Sequence, residues 1–567
     1  MPDTPWVTMY PQEVPQTINY PKQPLSGLLE QSAREYPNHT AVSFMGKTLS
    51  YKKVLEEAYR FANGLQALGI KKGDRVGIML PNCPQNIIAY YGALFTGAVV
   101  VQFNPLYMER EIHHQVTDSG IRILVCLDLV YPKVANASEG TSLETIIVTS
   151  IKDYLPFPKN LLYPIKVKKE GLFVAVPYSD KVLSFKRLLS SSPTTPVSTE
   201  INPQEDLALL QYTGGTTGLS KGVMLTHENL IANTCQAKHW MYKCKPGEES
   251  VLCVLPFFHV YGMTVGMNLA VMTASKMILL PRFQPGDVLA TIQKEKPTLF
   301  PGAPTMYIAL LNHPDLEKYD LSSIKACISG SAPLPLEVQE RFEAITGGKL
   351  VEGYGLTEAS PVTHANPIWG HRINGSIGLP WPDTIAKVVD PATLEEVEPG
   401  KAGELIVKGP QIMKGYWNRP EETAETLKDG WLFTGDIATM DEKGYFYIVD
   451  RKKHMIIAGG FNIYPREVEE VLFEHPAMLE AAVIGVPDPY RGETVKAFIV
   501  LKEGQTVTEA ELDKFCRERL AAYKVPRLYE FRKELPKTMV GKVLKRALQE
   551  EEANRMPTVP DSPPTAS

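Results

Sequence analysis

A loop rich in glycine, threonine and one lysine offers the groups that bind a phosphate. It runs from Tyr212 to Gly222 and holds four glycines, three threonines, a serine and Lys221. Glycines let backbone N–H groups converge on an anion, and a hydroxyl fits closely beside a phosphate oxygen. The spacing does not fit the G-x-x-x-x-G-K-[ST] pattern of a Walker A loop. We therefore predict a phosphate cradle of another kind, with an ordinary surface turn as the alternative.

Three further segments carry side chains suited to ligand chemistry. Pro256–Gly262 places His259 among large apolar groups, although a lone histidine there is also typical of a protein core. Ser329–Pro333 is a turn of small residues that would let a flat ring approach the backbone. Glu352–Glu358 combines two carboxylates, a tyrosine and a threonine around two glycines. Ordinary loops are the alternatives for the last two.

Polar segments nearer the C-terminus complete the candidate set. Gly430–Asp436 ends in an acid after a glycine, and such a carboxylate can accept hydrogen bonds from a ribose diol or cap a turn. Asp450–His454 is a charged run, which is also typical of a solvated linker. Pro536–Lys542 places a lysine after a glycine, and a surface loop is its alternative.

The composition indicates a folded globular protein with more than one core. The chain has 567 residues, of which 44% are hydrophobic and 22% charged. Its net charge of -5 gives no electrostatic reason to expect a nucleic-acid partner. The seven cysteines are scattered without a C-x-x-C pair, which favours a reducing, cytoplasmic location.

No segment of the sequence is predicted to direct export or to span a membrane. Residues 1–20 lack the apolar core of a signal peptide. The most apolar region, Val251–Leu280, is interrupted by His259, Asn268 and Lys276, so it predicts buried core rather than a spanning helix. Peripheral membrane contact and a homodimer stay open as alternatives.

Helix and strand patterns alternate through the first 450 residues. Val54–Leu68 and Gln85–Phe95 have the apolar spacing of helices. The pattern predicts buried strands at Asp74–Leu80, Ile121–Cys126, Leu207–Gln211 and Thr298–Phe300. The strand at Leu207–Gln211 would lead directly into the glycine loop. This alternation favours α/β layers.

A second, smaller α+β domain is predicted after residue 450. We expect an N-terminal domain at 1–450, a C-terminal domain at 451–552 and a disordered, proline-rich tail at 553–567. The pattern predicts helices at Pro465–Phe473 and Thr508–Leu520, and strands at Ala481–Val486 and Val495–Leu501.

In this order, the segments resemble the adenylate-forming superfamily of acyl-CoA synthetases, adenylation domains and luciferases. The resemblance extends from about residue 25 to about residue 550. Within the superfamily, Asp429–Asp436, Gly444 and Ile448–Lys453 are similar to the signature region of long-chain fatty-acid–CoA ligases. The resemblance implies a large N-terminal domain of layered α/β subdomains and a small, mobile C-terminal domain.

The resemblance also implies a reaction in two steps. A fatty-acid carboxylate attacks the α-phosphate of ATP, giving acyl-adenylate and pyrophosphate, and the thiol of CoA then displaces AMP. A carboxylate is already ionised at neutral pH, so the first step needs positive charge and positioning rather than a general base. ATP and CoA are implied as co-substrates and Mg²⁺ as the cofactor.

Site residues are assigned by the same resemblance. The catalytic positions are Lys542, Glu358, Thr357 and His259. The cofactor-binding positions are Thr213, Gly214, Gly215, Thr216, Thr217, Gly218, Lys221, Gly330, Glu352, Tyr354, Asp436, Arg451, Lys453, Gly459 and Gly460. Glu358 and Thr213 would hold Mg²⁺, which prefers hard oxygen ligands.

Each position has an implied role in the first step. Lys542 would bridge the substrate carboxylate and the α-phosphate, and Thr357 would contact the same phosphate. Lys221 and the loop threonines would hold the β- and γ-phosphates. Tyr354 would stack on adenine with Gly330 behind it.

Other positions serve the ribose and the second step. Asp436 and Arg451 would hold the ribose. The small domain would rotate between the two steps about a hinge at Lys453, and Gly459–Phe461 would line the pantetheine tunnel.

The choice of acid depends on the aromatic segment. Phe257–Val260 contains no carboxylate to pair with a substrate amine, which favours an apolar acid over an amino acid. The run Tyr261–Leu269 would form a wall for an acyl chain, and Met263 stands where some long-chain ligases have a gating tryptophan, so the upper chain length stays open. We predict medium- to long-chain fatty acids as substrates. The alternatives are an aryl-acid–CoA ligase of the 4-coumarate type and an adenylation enzyme that loads a separate carrier protein.

Overall fold

The chain adopts a mixed α/β fold, described here by a computed structural model over residues 4–213, 220–458, 461–488, 491–537 and 543–555. It divides into two compact units. Unit 1 comprises 1–386, 406–433 and 443–445, and unit 2 comprises 387–405, 434–442 and 446–567. The predicted boundary at about residue 450 differs from this interleaved division. The reason is antiparallel pairing, which joins Asp436–Met440 to Phe446–Arg451 within unit 2.

The helices and strands are numbered in chain order. The α-helices are α1 Gly27–Glu35, α2 Tyr51–Ala67, α3 Pro84–Phe95, α4 Glu109–Ser119, α5 Tyr131–Ala137, α6 Lys159–Lys169, α7 Phe185–Ser191, α8 His227–Trp240, α9 Leu269–Met272, α10 Pro285–Glu295, α11 Pro304–Leu311, α12 Leu336–Thr346, α13 Pro420–Thr426, α14 Pro465–Phe473, α15 Glu509–Arg517 and α16 Lys545–Arg555. A π-helix spans Gly262–Asn268, and 3₁₀ turns span Pro5–Met9, Asp128–Val130, Ile151–Tyr154, Leu316–Lys318, Thr357–Ala359 and Lys452–His454. The strands are β1 Thr40–Phe44, β2 Lys47–Ser50, β3 Arg75–Met79, β4 Val99–Gln102, β5 Ile123–Leu127, β6 Thr145–Thr149, β7 Val182–Ser184, β8 Leu207–Thr213, β9 Lys221–Thr226, β10 Ser250–Cys253, β11 Lys276–Leu279, β12 Ala326–Ser329, β13 Lys349–Gly355, β14 Val362–Ala365, β15 Leu379–Pro380, β16 Ile385–Val389, β17 Gly403–Lys408, β18 Gly415–Tyr416, β19 Leu427–Lys428, β20 Trp431–Met440, β21 Phe446–Arg451, β22 Ile456–Ala458, β23 Phe461–Ile463, β24 Met478–Asp488, β25 Gly492–Leu501 and β26 Leu528–Phe531.

The largest sheet of unit 1 has the strand order β18-β9-β8-β4-β3-β5-β6-β7. Its strands from β8 to β7 run parallel, and β9 turns back antiparallel to β8. Every residue of β4 and β5 is buried, as expected for parallel strands covered on both faces. Helix α3 is also buried along its whole length, and Pro84 starts it where a missing N–H is tolerated.

Two smaller sheets of unit 1 position the remaining segments. One has the order β10-β11-β1-β2, and the other has the order β12-β13-β14-β15. In the second sheet, Ser329 of β12 lies opposite Glu352 of β13. The residues predicted to face a nucleotide base therefore lie at the ends of neighbouring strands.

Unit 2 contains a sheet of order β23-β22-β25-β24, with β26 parallel to β25. Helix α14 packs on β24 and buries Val468 and Leu472 against Val483 and Ala497. The hairpin of β24 and β25 is long, with register partners from Met478 and Leu501 to Asp488 and Gly492 and one register shift between Met478 and Glu480.

Most predicted elements are confirmed. Helix α14 has the predicted bounds, and β24 and β25 contain the predicted strands of the small domain. Helices α2 and α3 match the two helical patterns near the N-terminus. Val251–Leu280 is occupied by β10, the π-helix, α9 and β11 and is mostly buried. Within the described ranges, every helix is too short or too polar to cross a membrane.

Two predictions about secondary structure are wrong. Thr298–Phe300 is not a strand, because only Leu299 forms isolated bridges, to Val251 and Ala326. Proline at 297 and 301 limits further ladder hydrogen bonds there. The tail was expected to be disordered from 553, but α16 continues to Arg555, whose guanidinium lies 2.7 Å from Glu530 Oε2. Residues 556–567 lie outside the described residues.

Candidate active site

The predicted phosphate loop connects the two strands of a hairpin in unit 1. Strand β8 ends at Thr213 and β9 begins at Lys221, and these two residues are register partners. The loop positions Gly214, Gly215, Thr216, Thr217 and Gly218 lie outside the described residues. Since β8 runs parallel to β4, the loop follows the carboxyl end of a strand in a parallel α/β sheet, where ligands commonly bind.

Asp118 anchors this hairpin from the side. Its Oδ2 accepts a hydrogen bond from the hydroxyl of Tyr212 at 2.6 Å, and its Oδ1 lies 3.1 Å from the guanidinium of Arg419. The indole of Trp417 donates to the Asp118 carbonyl at 3.0 Å. Burial and the hydrogen bond to Asp118 raise the pKa of the Tyr212 hydroxyl, so it stays a donor at neutral pH. These contacts hold the strand that leads into the loop.

Tyr416 connects two of the predicted site residues. Its hydroxyl donates to Glu358 Oε1 at 2.7 Å, and Lys221 Nζ lies 5.2 Å from the centroid of its ring. Lys221 Nζ also lies 3.7 Å from Glu422 Oε1. Burial and then the charge of Glu358 raise the pKa of the Tyr416 hydroxyl, which keeps it protonated. The structure thus brings Glu358 and Lys221 together around one tyrosine.

The turn after β13 determines where Thr357 and Glu358 lie. A Cβ atom at Gly355 would be 2.2 Å from the carbonyl oxygen of Pro361, so only glycine fits there. The N–H of Leu356 donates to that same carbonyl at 3.0 Å, and a 3₁₀ turn begins at Thr357. Backbone sterics therefore fix the start of the turn that carries Thr357 and Glu358.

Glu352 supports the turn that carries Gly330. Its buried carboxylate accepts a hydrogen bond from the N–H of Leu334 at 3.1 Å. A Cβ atom at Gly330 would be 3.0 Å from the ring of Tyr261, whose hydroxyl donates to the Ile328 carbonyl at 2.8 Å. The predicted site residue Gly330 is therefore backed by an aromatic ring.

Tyr354 lies opposite His364 across β13 and β14. The ring centroids are 6.0 Å apart at an interplanar angle of 67°. Burial lowers the pKa of His364 to about 3, so the imidazole is neutral at physiological pH. A neutral, buried ring behind Tyr354 suits a site that stacks on a flat ligand.

Hydrogen bonds between side chains and the backbone fix the aromatic segment around His259. Nδ1 of His259 accepts from the N–H of Tyr261 at 3.3 Å. Buried Asn82 accepts from the N–H of Phe257 at 2.8 Å and donates to the Leu255 carbonyl at 2.9 Å. The path of the segment that carries His259 is thus set by Asn82, which follows β3.

The predicted acyl wall coincides with the π-helix. A Cβ atom at Gly262, its first residue, would be 2.4 Å from the Pro256 carbonyl oxygen. Nearby is an apolar cavity, lined by Ala237, Met241, Val265, Leu269, Leu299, Pro301, Ala326 and Ile328. Met263 itself is fully buried. The π-helix and α9 contribute one side of this cavity through Val265 and Leu269.

In unit 2, Asp436 and Arg451 are cross-strand partners. Arg451 Nε lies 3.0 Å from Asp436 Oδ1, and the carboxylate is buried. The neighbouring Lys452 Nζ lies 2.8 Å from Glu404 Oε2. The structure therefore unites the two residues predicted to hold a ribose.

Asp450 joins the end of β21 to the start of α14. It accepts hydrogen bonds from the N–H groups of Arg451 at 2.6 Å and Arg466 at 2.7 Å, the latter in the first turn of α14. Burial alone would raise the pKa of its carboxyl, but His454, Lys545 and the two N–H groups outweigh it and hold that pKa below its ordinary value. A carboxylate at a helix N-terminus is favoured in the same way.

The remaining predicted positions are only partly described. Lys453 lies in the 3₁₀ turn Lys452–His454. Gly459, Gly460 and Lys542 lie outside the described residues.

Tyr416, Asp118 and Asn82 were not predicted from the sequence. Tyr416 and its neighbour Trp417 follow a glycine, an aromatic pair that could have been singled out as a turn near a ligand. Asn82 stands out as an amide directly after an apolar strand. Asp118 carries no local signal, because it is one of several acids on α4.

Family models match both parts of the chain. Residues 29–417 match the AMP-binding enzyme family, and residues 467–542 match the AMP-binding enzyme C-terminal domain. A long-chain-fatty-acid–CoA ligase of Bacillus subtilis (strain 168) is 56% identical over 549 residues, covering 97% of this chain and 98% of that protein.

Solved structures of adenylate-forming enzymes share the fold. An anthranilate–CoA ligase in complex with anthranoyl-AMP superposes with a TM-score of 0.83 at 28% identity, covering 94% of this chain and 98% of that one. ATP-bound MatB from Rhodopseudomonas palustris gives a TM-score of 0.82 at 30% identity, covering 93% of this chain and 98% of that one. With both family models matched in order and a relative that is 56% identical over nearly the whole chain, this protein belongs to the family of AMP-binding, adenylate-forming enzymes.

Proposed function

We propose that this protein is an AMP-forming ligase that activates medium- to long-chain fatty acids with ATP and transfers the acyl group to CoA. The single observation that carries the acyl specificity is the 56% identity, over 97% of this chain, to a long-chain-fatty-acid–CoA ligase. A small apolar cavity lined partly by the π-helix agrees with an apolar substrate. The cavity shares Ile328 with the strand that leads to Gly330, the position assigned to the adenine site. The name of the B. subtilis relative supports the same substrate class.

Positive charge near the phosphates is the first requirement of adenylate formation. Lys221 is held beside the loop by the ring of Tyr416 and by Glu422, with its side chain 31% exposed. We assign it to the β- and γ-phosphates, together with Thr213, its register partner across the hairpin. Lys542 is assigned to the α-phosphate and the substrate carboxylate, where it would stabilise the developing charge.

Glu358 is suited to hold Mg²⁺. Its carboxylate is oriented by the Tyr416 hydroxyl at 2.7 Å and, with the hydroxyl of Thr213, supplies the hard oxygens this cation prefers. Among the described residues, no three His, Cys, Asp or Glu side chains cluster as a metal site, so phosphate oxygens and water would complete the coordination. When bound, Mg²⁺ would neutralise charge on the phosphates and assist their positioning.

The remaining contacts bind the nucleoside. Tyr354 would stack on adenine, and the backbone at Gly330, where an added Cβ would lie 3.0 Å from the Tyr261 ring, would lie behind the base. Asp436 would accept hydrogen bonds from the ribose hydroxyls while Arg451 holds the carboxylate in place at 3.0 Å. His259, in the segment next to the π-helix, would border the acid near its carboxyl end.

A competition between acids tests the proposal. Purified protein receives ATP, Mg²⁺, CoA and equimolar acetate, octanoate, palmitate, oleate and 4-coumarate, and the products are identified by mass spectrometry. We expect octanoyl-, palmitoyl- or oleoyl-CoA together with AMP. A product dominated by 4-coumaroyl-CoA would transfer the protein to the aryl-acid ligases. AMP formed without any thioester would instead indicate a carrier protein as the acceptor.

A further inference from the structure

Helix α6 and its flanks expose large apolar side chains at the surface of unit 1. Phe157 is 79% exposed, Ile165 66% and Leu161 62%, and three further apolar residues nearby are more than half exposed. We call this set the α6 surface; its members are Phe157, Leu161, Leu162, Ile165, Leu172 and Phe173. Large apolar residues scattered singly are normal, but a contiguous group within one short segment indicates an interaction site.

The helix presents these residues on the side opposite its buried face. Val167 is the buried residue of α6. At about 100° per residue, Leu161, Leu162 and Ile165 project roughly 120–160° away from Val167 around the helix axis. The contacts of α6 with unit 1 therefore leave its apolar side uncovered.

Lysines surround the same surface. Lys159, Lys166, Lys168 and Lys169 are exposed on α6, and Glu170 is the one acid in residues 157–173. Lys166 Nζ is 3.9 Å from Glu170 Oε1, and both side chains are largely solvated. This local excess of positive charge contrasts with the net charge of -5 for the chain.

We propose that the α6 surface docks on the face of a lipid bilayer that contains anionic headgroups. Its apolar side chains would enter the boundary between headgroups and acyl chains, while the lysines would extend to the lipid phosphates. A second copy of the chain fits less well, because a two-fold interface would bring two lysine-rich helices against each other. A ligase bound to such a surface could take up long-chain acids from the bilayer. That use rests on the proposed function, but the binding itself does not.

Vesicle binding by the full-length protein tests the proposal without ATP, CoA or fatty acid. Protein is mixed with vesicles of equal parts phosphatidylglycerol and phosphatidylcholine, or of phosphatidylcholine alone, and separated by flotation. We expect binding to the anionic vesicles that weakens as salt is raised. In the variant Leu161→Ser/Leu162→Ser/Ile165→Ser, the partition coefficient should fall by more than about tenfold.

Charge and apolar area are separated by two more variants. Lys166→Glu/Lys168→Glu/Lys169→Glu should lose binding to anionic vesicles by more than about tenfold. Leu336→Ser/Ile345→Ser removes two exposed apolar residues of α12 and serves as the matched control, which should bind as the wild type does. Circular dichroism and turnover of a water-soluble medium-chain acid verify that each variant is folded.

The outcomes are separable from the fate of the proposed function. Absence of wild-type binding to anionic vesicles, or equal binding by the wild type and the α6 variants, overturns the proposal even if ligase activity is intact. A change in oligomeric mass of the α6 variants without a change in lipid binding overturns it in favour of a second copy. Loss of lipid binding confined to the α6 variants supports it even if the favoured acid proves to be aromatic.

Discussion

Tyr416 serves two partners in the described part of the site. Its hydroxyl donates a hydrogen bond to Glu358, and its ring centroid lies 5.2 Å from Lys221 Nζ. One side chain therefore contacts both an acid and a cation of the predicted phosphate site. Hydrogen bonds to a charged group contribute more than neutral ones, about 1.5–3 kcal/mol. A residue of this kind acts through its neighbours rather than on the substrate.

Replacing Tyr416 by phenylalanine should therefore separate the two contacts. In Tyr416→Phe, Lys221 keeps its ring but Glu358 loses its donor. We expect adenylate formation, measured by ATP–pyrophosphate exchange, to slow by about tenfold and to require more Mg²⁺. Tyr416→Leu removes both contacts and should also raise the KM for ATP. A Tyr416→Phe enzyme with the Mg²⁺ dependence of the wild type would contradict the positioning role.

His227 is a buried histidine that makes the stability of the fold depend on pH. It is fully buried at the start of α8, and its Nδ1 accepts from the N–H of Leu25 at 3.0 Å. Its Nε2 has no hydrogen-bond partner among the described residues. Burial lowers its pKa to about 4, with Asp206 opposing and Lys72 reinforcing the shift.

Acid should therefore destabilise the protein through His227. Between pH 6.5 and about 4 the unfolded chain binds a proton at this histidine and the folded chain does not, so stability falls as the pH falls. At pH 5 the loss is about 2 kcal/mol from this group. His227→Asn keeps an acceptor for Leu25 but cannot titrate. The drop in thermal midpoint from pH 7 to pH 5 should be smaller in the variant, and equal drops would rule out this origin.

At the scale of elements, the π-helix depends on close backbone contacts. It begins at Gly262, which approaches the carbonyls of Leu255 and Pro256, and it lines the apolar cavity through Val265. The side-chain amide of Asn82 holds the preceding segment by hydrogen bonds to its backbone, so the strand end, the aromatic segment and the π-helix are fixed together. Wide helical turns of this kind are frequent at functional sites.

Two glycines in the π-helix provide a matched pair of substitutions. In Gly262→Ala the new Cβ would be 2.4 Å from the Pro256 carbonyl oxygen, so the backbone must shift. We expect a destabilisation of about 1–3 kcal/mol and reduced turnover of palmitate. In Gly266→Ala the nearest atom is 3.4 Å away, and stability should change by less than about 1 kcal/mol. Thermal denaturation and palmitate turnover measure both, and similar losses in the two variants would contradict the steric argument.

For the whole molecule, the residues predicted to bind ATP and the acid are divided between the two units. The phosphate loop, Glu358, Tyr354 and the apolar cavity belong to unit 1, whereas Asp436 and Arg451 belong to unit 2. The mobile C-terminal domain implied by the family resemblance would need a hinge in the chain. We infer that Lys453, in the 3₁₀ turn Lys452–His454, is where the backbone would absorb that motion.

Fixing the backbone at Lys453 should therefore separate the half-reactions. In Lys453→Pro the ring holds φ near -65°, and we expect ATP–pyrophosphate exchange to persist while acyl-CoA formation falls by more than about 100-fold. Lys453→Ala removes the side chain without restricting φ and is the control. Retained exchange shows that the proline variant is folded. Wild-type rates of acyl-CoA formation by Lys453→Pro would place the hinge elsewhere.

Elements were predicted correctly where a few neighbouring residues determine them, and less well where distant residues do. Helix α14 was predicted to the residue because Pro465 marks its start and apolar spacing its length. Thr298–Phe300 was mistaken for a strand because a short apolar run also fits a segment that pairs at one residue. The division into units was predicted as a single boundary, since pairing between residues 434–442 and the later strand has no local signature.

Order and type of residues along the chain were enough to recognise the family, its two-step chemistry and most elements, because motifs, caps and periodicity are encoded within a few neighbouring residues. The tertiary structure alone decided which distant side chains meet. Asp118 and Arg419 are 301 positions apart, and Glu358 and Tyr416 are 58 apart. Such contacts depend on sheet order and packing, which are set by burial of the whole core rather than by any local pattern. For the same reason, only the tertiary structure shows that α6 packs through Val167 and leaves its apolar side exposed.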